Sequence, residues 1–395
     1  MMIQKDVIVV GGGMVGSAAA VGLAQLGLKV QLIERTTLPH FEPNQPYDIR
    51  ISAISVTSVR LLEQLNAWQN IRAMRICPYR ALETWEIDGF STAFHSRDLG
   101  LNELGYMVEN NLIQLGLWQT FADYSNLGSS LNVEIQQMKK CGENWQLSLS
   151  NGECYRAPLI LACDGANSKL RQIAGIGLTG WQYRQSCMLI LVSMLDEQTA
   201  LAQQDTTWQQ FFPSGPRAFL PLCDNQGCLV WYDSLERIRQ LQQLPPEKLD
   251  LEIEVAFPAR LGKVKTQSAA SFTLTRRHAQ HYFKNGIVLL GDSAHTINPL
   301  AGQGVNLGFK DVKAFLDVVA RAQKCGQLIN DEAVLQRYQR LRQKDNLLMQ
   351  TGMDLFYKGF KQDLLPLKIL RNAALVAVDK APIIKKQALK YALGL

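Results

Sequence analysis

The residues whose types and spacing are best suited to chemistry occupy positions 291–308, which read GDSAHTINPLAGQGVNLG. Asp292 follows a short apolar run that predicts a buried strand, and α/β folds present polar groups to ligands where their strands end. Pro299 stiffens the loop that follows, while Gly302 and Gly304 allow its backbone to approach a flat ligand closely. Apolar residues at helical spacing begin just beyond, so the loop leads into a helix N-terminus, which stabilises an anion.

An acid, a close-approach loop and a positive helix end together suit a reduced flavin ring and its ribityl chain. The structural alternative is simply a strand, a turn and a buried helix. The histidine at position 295 either takes part in catalysis or braces the loop. Amides of the loop and of the helix end would hold negative charge near the flavin. The candidate catalytic residues are His295, Pro299, Gly302 and Gln303, and the candidate cofactor-binding residues are Gly291, Asp292, Gly304, Val305 and Asn306.

A second glycine-rich segment, GGGMVG at positions 11–16, lies between a strand predicted over 3–10 and a predicted helix, and a second strand then ends at Glu34. In this βαβ context Gly11 permits the tight turn, and Gly16 permits close packing of the helix on the strand. The acid at the end of the second strand can accept hydrogen bonds from a ribose. The fingerprint alone does not distinguish FAD from NAD. The candidate contacts are Gly11, Gly13, Met14, Val15, Gly16 and Glu34.

Composition sets limits on the class of protein. A chain of 395 residues exceeds one ordinary core, so we expect two domains. Its 47% hydrophobic and 19% charged residues are typical of a globular enzyme. The net charge is +6, but no Lys/Arg block is interleaved with aromatic residues, so we do not expect a nucleic-acid partner. An anionic cofactor or an anionic membrane surface fits the sign of the charge.

Cysteine and histidine give no sign of a metal site. The eight cysteines are scattered without a Cys-x-x-Cys pair, and the five histidines form no ligand cluster. A strand is predicted almost from the first residue, which leaves no room for a signal peptide, and no apolar run is long enough to span a membrane. We therefore expect a cytoplasmic protein with reduced thiols.

The 291–308 segment resembles the second flavin-contact motif of the group A aromatic-ring flavoprotein monooxygenases, the family of para-hydroxybenzoate hydroxylase. The resemblance implies that Asp292 bonds the ribityl chain and that the loop 299–304 faces the flavin ring. It also implies FAD as the cofactor. Because the chain has no second glycine fingerprint, NADH or NADPH would bind transiently as the reductant.

Two further segments resemble the same family. The sequence DIRISAIS at 48–55 resembles a family segment in which an arginine contacts the cofactor, and the match falls on Arg50. Alternatively, Arg50 is a surface cation that caps the helix beginning near Ser55. Asn110 lies where the family often has Arg or Gln, and this departure leaves it as a candidate contact.

The sequence DGANSKLR at 164–171 follows a predicted strand and fits the family pattern Asp-Gly-x-x-Ser-x-x-Arg. The resemblance implies a position near the pyrophosphate, and the pattern has been linked to both FAD and the reduced nicotinamide. In the structural alternative, Asp164 caps a helix and Arg171 decorates its surface. We expect a mixed role for these two residues.

Segments 50–55, 105–110, 291–308 and 353–357 narrow the resemblance to the ring hydroxylases of ubiquinone biosynthesis. Segments 208–211, 215–221 and 387–395 resemble the branch that inserts the last ring hydroxyl. This resemblance implies a polyprenyl benzoquinol and O₂ as substrates, with other pathway enzymes and lipid-binding helper proteins as partners. The alternatives are another hydroxylation step of the pathway, a flavin dehydrogenase or reductase, and a non-enzymatic prenyl-lipid carrier.

The expected fold is α/β, with a Rossmann-like FAD-binding domain interleaved with a mixed β-sheet substrate domain, followed by a helical C-terminus. The FAD-binding domain is predicted over residues 1–74, 105–180 and 275–345, and it includes a β-meander near 133–157. The substrate domain is predicted over 75–104 and 181–274, and the C-terminal helices over 346–395.

The C-terminal segment has two interpretations. Ile384, Ala388, Tyr391 and Leu395 repeat at helical spacing beside lysines. Such a basic amphipathic helix can lie in a membrane interface, which would place the protein on the inner face of the plasma membrane. Alternatively, the apolar stripe packs on the protein's own domain.

Overall fold

Short apolar runs separated by glycine and polar residues form four sheets in the computed structural model, which describes residues 2–296, 304–361 and 364–395. The strands are β1 Met2–Gln4, β2 Val7–Val10, β3 Val30–Ile33, β4 Ile51–Ser55, β5 Cys77–Tyr79, β6 Ala81–Trp85, β7 Thr92–His95, β8 Gly105–Glu109, β9 Leu127–Ser130, β10 Ile135–Cys141, β11 Asn144–Leu149, β12 Cys154–Ala157, β13 Leu159–Ala162, β14 Leu178–Met194, β15 Thr206–Gln210, β16 Arg217–Pro221, β17 Gln226–Ser234, β18 Val264–Ala279, β19 Phe283–Lys284, β20 Ile287–Leu289 and β21 His295–Thr296. The helices are α1 Met14–Gln25, α2 Val56–Gln64, α3 Trp68–Met74, α4 Asn110–Gln119, α5 Lys169–Ile173, α6 Glu197–Gln203, α7 Leu235–Gln242, α8 Pro246–Ala256, α9 Gly304–Lys324, α10 Glu332–Lys361, α11 Leu365–Asp379 and α12 Pro382–Leu393.

The sheet that carries the glycine fingerprint has the strand order β19-β20-β13-β2-β3-β9. All of its pairs are parallel except the edge pair β19–β20. Its central strands β2, β13 and β20 are almost completely buried, because helices cover both faces of a parallel sheet. The Rossmann-like arrangement expected from the sequence is therefore confirmed.

The single strand predicted over 3–10 is wrong, because the chain divides at Lys5–Asp6. Strand β1 leaves the parallel sheet and pairs with β12 at the edge of the meander β10-β11-β12. Asp6 accepts a hydrogen bond from the amide of Lys29, which turns the chain between the two sheets. The meander itself has the antiparallel pairing that the sequence predicts.

The largest sheet has the order β21-β18-β14-β17-β16-β15-β6-β7. Its strands β14 and β18 are much longer than their apolar runs predict, because the two strands stay paired through exposed residues that break the apolar pattern. A smaller sheet, β4-β8-β5, lies alongside. Strands from residues 81–95, 178–279 and 295–296 share the largest sheet, so its segments alternate along the chain with those of the parallel sheet. The exact domain boundaries stay a prediction.

The chain after Asp331 is helical, as expected, within the part that the structure describes. On α12, Leu389 and Leu393 are buried in an apolar cluster shared with the largest sheet and the three-stranded sheet. Ile383, Ile384 and Tyr391 of the same helix are exposed. The helix thus packs one apolar edge on the protein and leaves another uncovered. In the described ranges, no helix is both long and apolar enough to cross a bilayer.

Candidate active site

The glycine fingerprint brings the backbone of β2, α1 and β13 into close contact. Gly11 has φ +102°, and a Cβ there would lie 2.3 Å from the carbonyl oxygen of Cys163. A Cβ on Gly16 would lie 1.9 Å from the carbonyl oxygen of Gly11. A Cβ on Gly13, in contrast, would meet no atom within 4 Å. The outer glycines are therefore required for packing, while the middle one faces open space that a ligand can fill.

Glu34 lies at the end of β3, directly against the fingerprint loop. Its Oε2 accepts a hydrogen bond of 2.5 Å from the amide of Gly12, and its Oε1 accepts bonds from the amide and hydroxyl of Thr36. The carbonyl oxygen of Gly12 accepts from Trp118 and Gln114 of α4. Sequence reasoning missed these two α4 residues, because nothing in the local sequence links them to the fingerprint.

The C-terminal ends of β2, β13 and β20 meet at one edge of the parallel sheet, which brings the sequence motifs together. A Cβ built on Gly291 or Gly308 would lie 3.2 or 2.5 Å from a methyl group of Val15. The first turn of α1, the turn that holds Asp292, and α9 therefore pack against one another. Ligands of α/β sheets bind at this edge.

Asp292 lies on the short turn Gly291–Ser293 that follows β20. Its side chain is exposed to solvent, yet burial within the surrounding protein raises the pKa of its carboxyl, with the charges of His295 and Arg50 opposing the shift. A side chain that water reaches while protein surrounds it lies in a cleft. Among the described residues, no hydrogen-bond donor contacts this carboxylate, so its acceptor capacity is free for a ligand.

Asp311 of α9 is the buried centre of a polar cluster that the sequence did not reveal. Its carboxylate accepts hydrogen bonds from the amide of Gly291 (3.0 Å), from Arg342 Nε (2.8 Å) and from Asn346 Nδ2 (3.2 Å). His295 Nε2 lies 2.5 Å from the same carboxylate. Burial raises the pKa of Asp311, but the charges and hydrogen bonds of His295 and Arg342 outweigh it and lower the pKa to about 2. We name Asp311, His295, Arg342 and Asn346 the Asp311 cluster.

The Asp311 cluster bears on the two interpretations of His295. The ring is buried, and its bond to Asp311 ties β21 to α9. The same carboxylate holds the amide of Gly291, so the cluster fixes both ends of the turn that presents Asp292. This geometry supports the bracing interpretation, and catalysis by His295 stays a prediction.

Asn306 joins α9 to the segment that contains the family's arginine. Its Oδ1 accepts from the amide of Ser55 (3.0 Å) and the hydroxyl of Ser58 (2.7 Å), and its Nδ2 donates to the carbonyl of Ala53 (2.8 Å). The side chain is thus directed toward β4 and α2. Any contact that Asn306 makes with a cofactor must therefore use its backbone amide, which lies in the first turn of α9.

Arg50 does not cap α2, so the capping alternative is wrong. The N-cap of that helix is Ser55, whose hydroxyl accepts a bond from the amide of Ser58. Burial raises the pKa of Asp292, and the charge of Arg50 instead opposes that rise. Asn110 accepts a bond of 2.6 Å from the hydroxyl of Ser52 and connects α4 to β4.

Arg171 is buried, so the alternative in which it decorates a helix surface is wrong. Its guanidinium donates to the carbonyls of Ser293 (2.8 Å) and Ala166 (3.1 Å), and so it joins the Asp164 loop to the Asp292 turn. Asp164 accepts from the amide of Leu170 through one oxygen. Its other oxygen is buried without a partner among the described residues.

Pro299, Gly302 and Gln303 lie outside the described residues, so their predicted roles rest on the sequence alone. Gly304 and Val305 begin α9, and a Cβ on Gly304 would meet no atom within 4 Å. Met14 and Val15 are half-buried at the start of α1. Among the residues that the structure describes, no group of three or more metal-ligand side chains is gathered.

A model of the FAD binding domain family matches residues 4–344. The chain is 49% identical to the 3-demethoxyubiquinol 3-hydroxylase of Escherichia coli (strain K12), over 99% of this chain and 98% of that protein. It is 30% identical to the ubiquinone hydroxylase UbiL of Rhodospirillum rubrum, over 98% and 89% of the two chains. The chain belongs to the FAD-dependent monooxygenases.

A solved structure of the same fold is p-nitrophenol 4-monooxygenase PnpA from Pseudomonas putida DLL-E4. Its TM-score is 0.81 at 17% sequence identity, and the match covers 99% of this chain and 98% of that one. At this identity the likeness shows the fold, which is the one that the sequence predicts. The residues of the present chain fit an FAD cofactor. Gly13 faces open space, the accessible carboxylate of Asp292 has no donor among the described residues, and one oxygen of Asp164 has no partner there.

Proposed function

We propose that this FAD-dependent monooxygenase hydroxylates the ring of a polyprenyl quinol in ubiquinone biosynthesis, converting 3-demethoxyubiquinol to 3-demethylubiquinol. The observation that carries the proposal is the 49% identity to the Escherichia coli enzyme of that name over nearly the whole of both chains. One atom of O₂ enters the ring, the other leaves as water, and NADH or NADPH supplies the two electrons.

The residues around the cleft have distinct roles in holding FAD. The amides of the fingerprint and of the first turn of α1 bind the pyrophosphate, and Glu34 accepts from the adenosine ribose. Asp292 would accept from the ribityl hydroxyls, and the unpartnered oxygen of Asp164 would be a further acceptor for the cofactor. Arg50 supplies a cation beside Asp292. When bound, FAD accepts hydride from the reductant and supplies the oxygen chemistry.

The chain's own contribution is to orient the ring, exclude water and stabilise charge. The N-terminus of α9 would place partial positive charge where the reduced flavin carries negative charge. The Asp311 cluster holds that helix and the Asp292 turn in a fixed relation, so His295 acts by positioning.

The C-terminal helices suit a surface that carries a lipid substrate. Leu364, which precedes α11, and Leu365, Ile369 and Leu370 of α11 are exposed. Ile383 and Ile384 of α12 are also exposed. Residues 364–395 contain six Lys/Arg and one Asp, a formal charge of +5 out of the chain's +6. Apolar side chains beside excess lysines bind the interface of an anionic membrane. We place the protein at the inner face of the plasma membrane, with other ubiquinone-pathway enzymes and lipid-binding helper proteins as partners.

The membrane contact is tested by replacing Leu365, Ile369 and Leu370 together with serine. Binding to vesicles that contain anionic lipid should fall several-fold, while the melting temperature is unchanged, because these side chains are exposed. The matched control replaces Leu251 and Val255, two exposed apolar residues of α8, with serine. Equal binding by both variants would assign the α11 surface to another purpose.

The reaction step is tested in cells that lack this protein. They should lose ubiquinone and accumulate the quinone that bears the methyl group and one methoxy group but no third ring oxygen. The wild-type gene should restore ubiquinone, whereas a gene encoding Asp292→Ala should restore little. Accumulation of an earlier, methoxy-free intermediate would assign the protein to another hydroxylation of the pathway.

A further inference from the structure

Two cysteines from different sheets lie side by side. Cys77 is in β5, and Cys223 begins the tight turn between β16 and β17. Asp224 and Asn225 in that turn have φ +58° and +56°, and the amide of Leu222 donates to Gln226 to close the turn. Cys223 Sγ lies 3.4 Å from the carbonyl oxygen of Ile76, the residue before Cys77, and Cys223 packs against the apolar cluster that contains Cys77.

The environment of the two thiols distinguishes them from each other. Cys77 is buried, whereas Cys223 is half-buried and reachable from solvent. The hydrogen bond from Cys77 lowers the pKa of Cys223 to about 7, against the opposing effects of burial and of Asp224. Tyr47 and Arg75 lie on the other side, and the guanidinium is 3.8 Å from the centre of the tyrosine ring. A half-exposed thiol that ionises near neutral pH is nucleophilic.

Other cysteines of the chain lack this combination. Burial raises the pKa of Cys163, of Cys187 and of Cys228. Cys325 is exposed at the end of α9. The Cys77–Cys223 pair therefore combines an accessible, ionisable sulfur with a second sulfur beside it.

We propose that Cys77 and Cys223 are a dithiol that hydrogen peroxide oxidises to a disulfide between the three-stranded sheet β4-β8-β5 and the largest sheet. The Cys223 thiolate attacks one oxygen of the peroxide, forming an S–O bond as the O–O bond breaks, and the released hydroxide takes a proton to become water. Cys77 then attacks the Cys223 sulfur, so that an S–S bond forms, the S–O bond breaks and a second water leaves. The two thiols lose two electrons, and one peroxide gains them.

The pair connects to the candidate cofactor site through charged groups. Arg75 binds the buried Glu109 through two hydrogen bonds of 2.9 Å. Glu109 accepts from the amide of Asp48, and Asp48 accepts from the amide of Arg50. Reduced flavins release hydrogen peroxide when they react with O₂ without transferring oxygen. The source of the oxidant therefore rests on the proposed function, whereas the disulfide itself does not. The disulfide would then form when the enzyme reduces O₂ to hydrogen peroxide without hydroxylating its substrate.

The test treats purified FAD-loaded protein with a small molar excess of hydrogen peroxide and counts free thiols after denaturation. The count should fall by two, a peptide containing both Cys77 and Cys223 should appear, and dithiothreitol should restore both thiols. The melting temperature of the oxidised protein should rise by several degrees, because the cross-link closes a long segment of the unfolded chain. Cys325→Ser is the matched control and should form the same cross-linked peptide.

Two outcomes would overturn the proposal. One is wild-type protein in which both thiols remain free, or in which Cys223 becomes sulfinic acid without a cross-linked peptide. The other is a cross-link that persists in Cys223→Ser, since it would then join different cysteines. The rate of oxidation should also rise through pH 7 and level off above it. A rate that begins to rise only near pH 8.5, the ordinary pKa of a cysteine, would show that Cys223 is not activated.

Discussion

Asp292, in the turn after β20, and Asp311, on α9, lie in the same part of the molecule but differ in exposure and in hydrogen bonding. Asp292 is open to solvent and has no donor among the described residues, and its pKa is raised by burial in the surrounding protein. Asp311 is inaccessible and accepts from the amide of Gly291 and from Arg342, with the ring of His295 also against it. Its pKa is lowered to about 2. Asp292 can still accept hydrogen bonds from a ligand, whereas protein donors already occupy the oxygens of Asp311.

The difference assigns the two residues to different tasks. A buried carboxylate with charged partners holds the elements around it, because losing one partner leaves the other charge unpaired. An accessible carboxylate with free lone pairs contributes little to the fold and can accept hydrogen bonds from a ligand. Replacing each residue should therefore separate folding from cofactor retention.

The largest effect is expected for Asp311→Asn. This change removes the buried carboxylate that Arg342 and His295 share, leaves Arg342 only the more exposed carboxylate of Asp345, and should lower the free energy of unfolding by about 3–5 kcal/mol. The matched control is Asp317→Asn on the same helix, whose carboxylate is exposed and pairs with Lys313. The control should lose less than about 1 kcal/mol in denaturant titrations. Equal stabilities would contradict the structural role of Asp311.

The ionisation of Asp311 should also appear in the pH dependence of the free energy of unfolding. Because the folded pKa of about 2 lies below the unfolded value of about 3.9, ionised Asp311 stabilises the fold above pH 4. That stabilisation, about 2–3 kcal/mol, should be lost as pH falls from about 4 to 2. Urea titrations of wild type and Asp311→Asn should therefore converge over this range. A constant difference between them would show that Asp311 does not titrate there.

Asp292→Ala should act on the cofactor and not on the fold. Losing hydrogen bonds from a ribityl hydroxyl to a charged group costs roughly 1.5–3 kcal/mol, which lowers FAD affinity about ten- to a hundredfold. Flavin fluorescence measures the affinity, and the melting temperature of the flavin-free protein should match that of the flavin-free wild type. A variant that purifies with full flavin content would remove Asp292 from the cofactor site.

The smallest effect is expected for Arg50→Gln. The exposed guanidinium favours the ionised form of Asp292, and an exposed pair of this kind contributes up to about 1 kcal/mol. FAD affinity should fall by up to about fivefold, and the loss should shrink at high salt because the charges are screened. Arg60→Gln, an exposed cation of α2, is the control and should leave the affinity unchanged. A salt-independent loss would show that Arg50 acts through shape and not through charge.

The contrast between Asp292 and Asp311 also shows which features of the site can be predicted from the sequence and which cannot. Asp292 was identified because its strand, turn and glycines are local in the chain. Asp311 was missed because its partners are distant: Arg342 lies one helix further along. The only local signal is a charged residue among the apolar positions of α9. In the same way, the length of β14 was missed because its first residues, 178–182, are exposed and form no continuous apolar run. Pairing with β18 makes them a strand.

The central claim is that this chain inserts an atom of O₂ into a quinol ring. Purified protein loaded with FAD should be given NADH or NADPH and a short-tailed 3-demethoxyubiquinol, with the O₂ isotopically heavy and the water ordinary. Mass spectrometry of the product should show one heavy oxygen in the new ring hydroxyl. A hydroxyl oxygen that comes from water, or consumption of the reductant in the presence of the quinol without any hydroxylated product, would contradict the account.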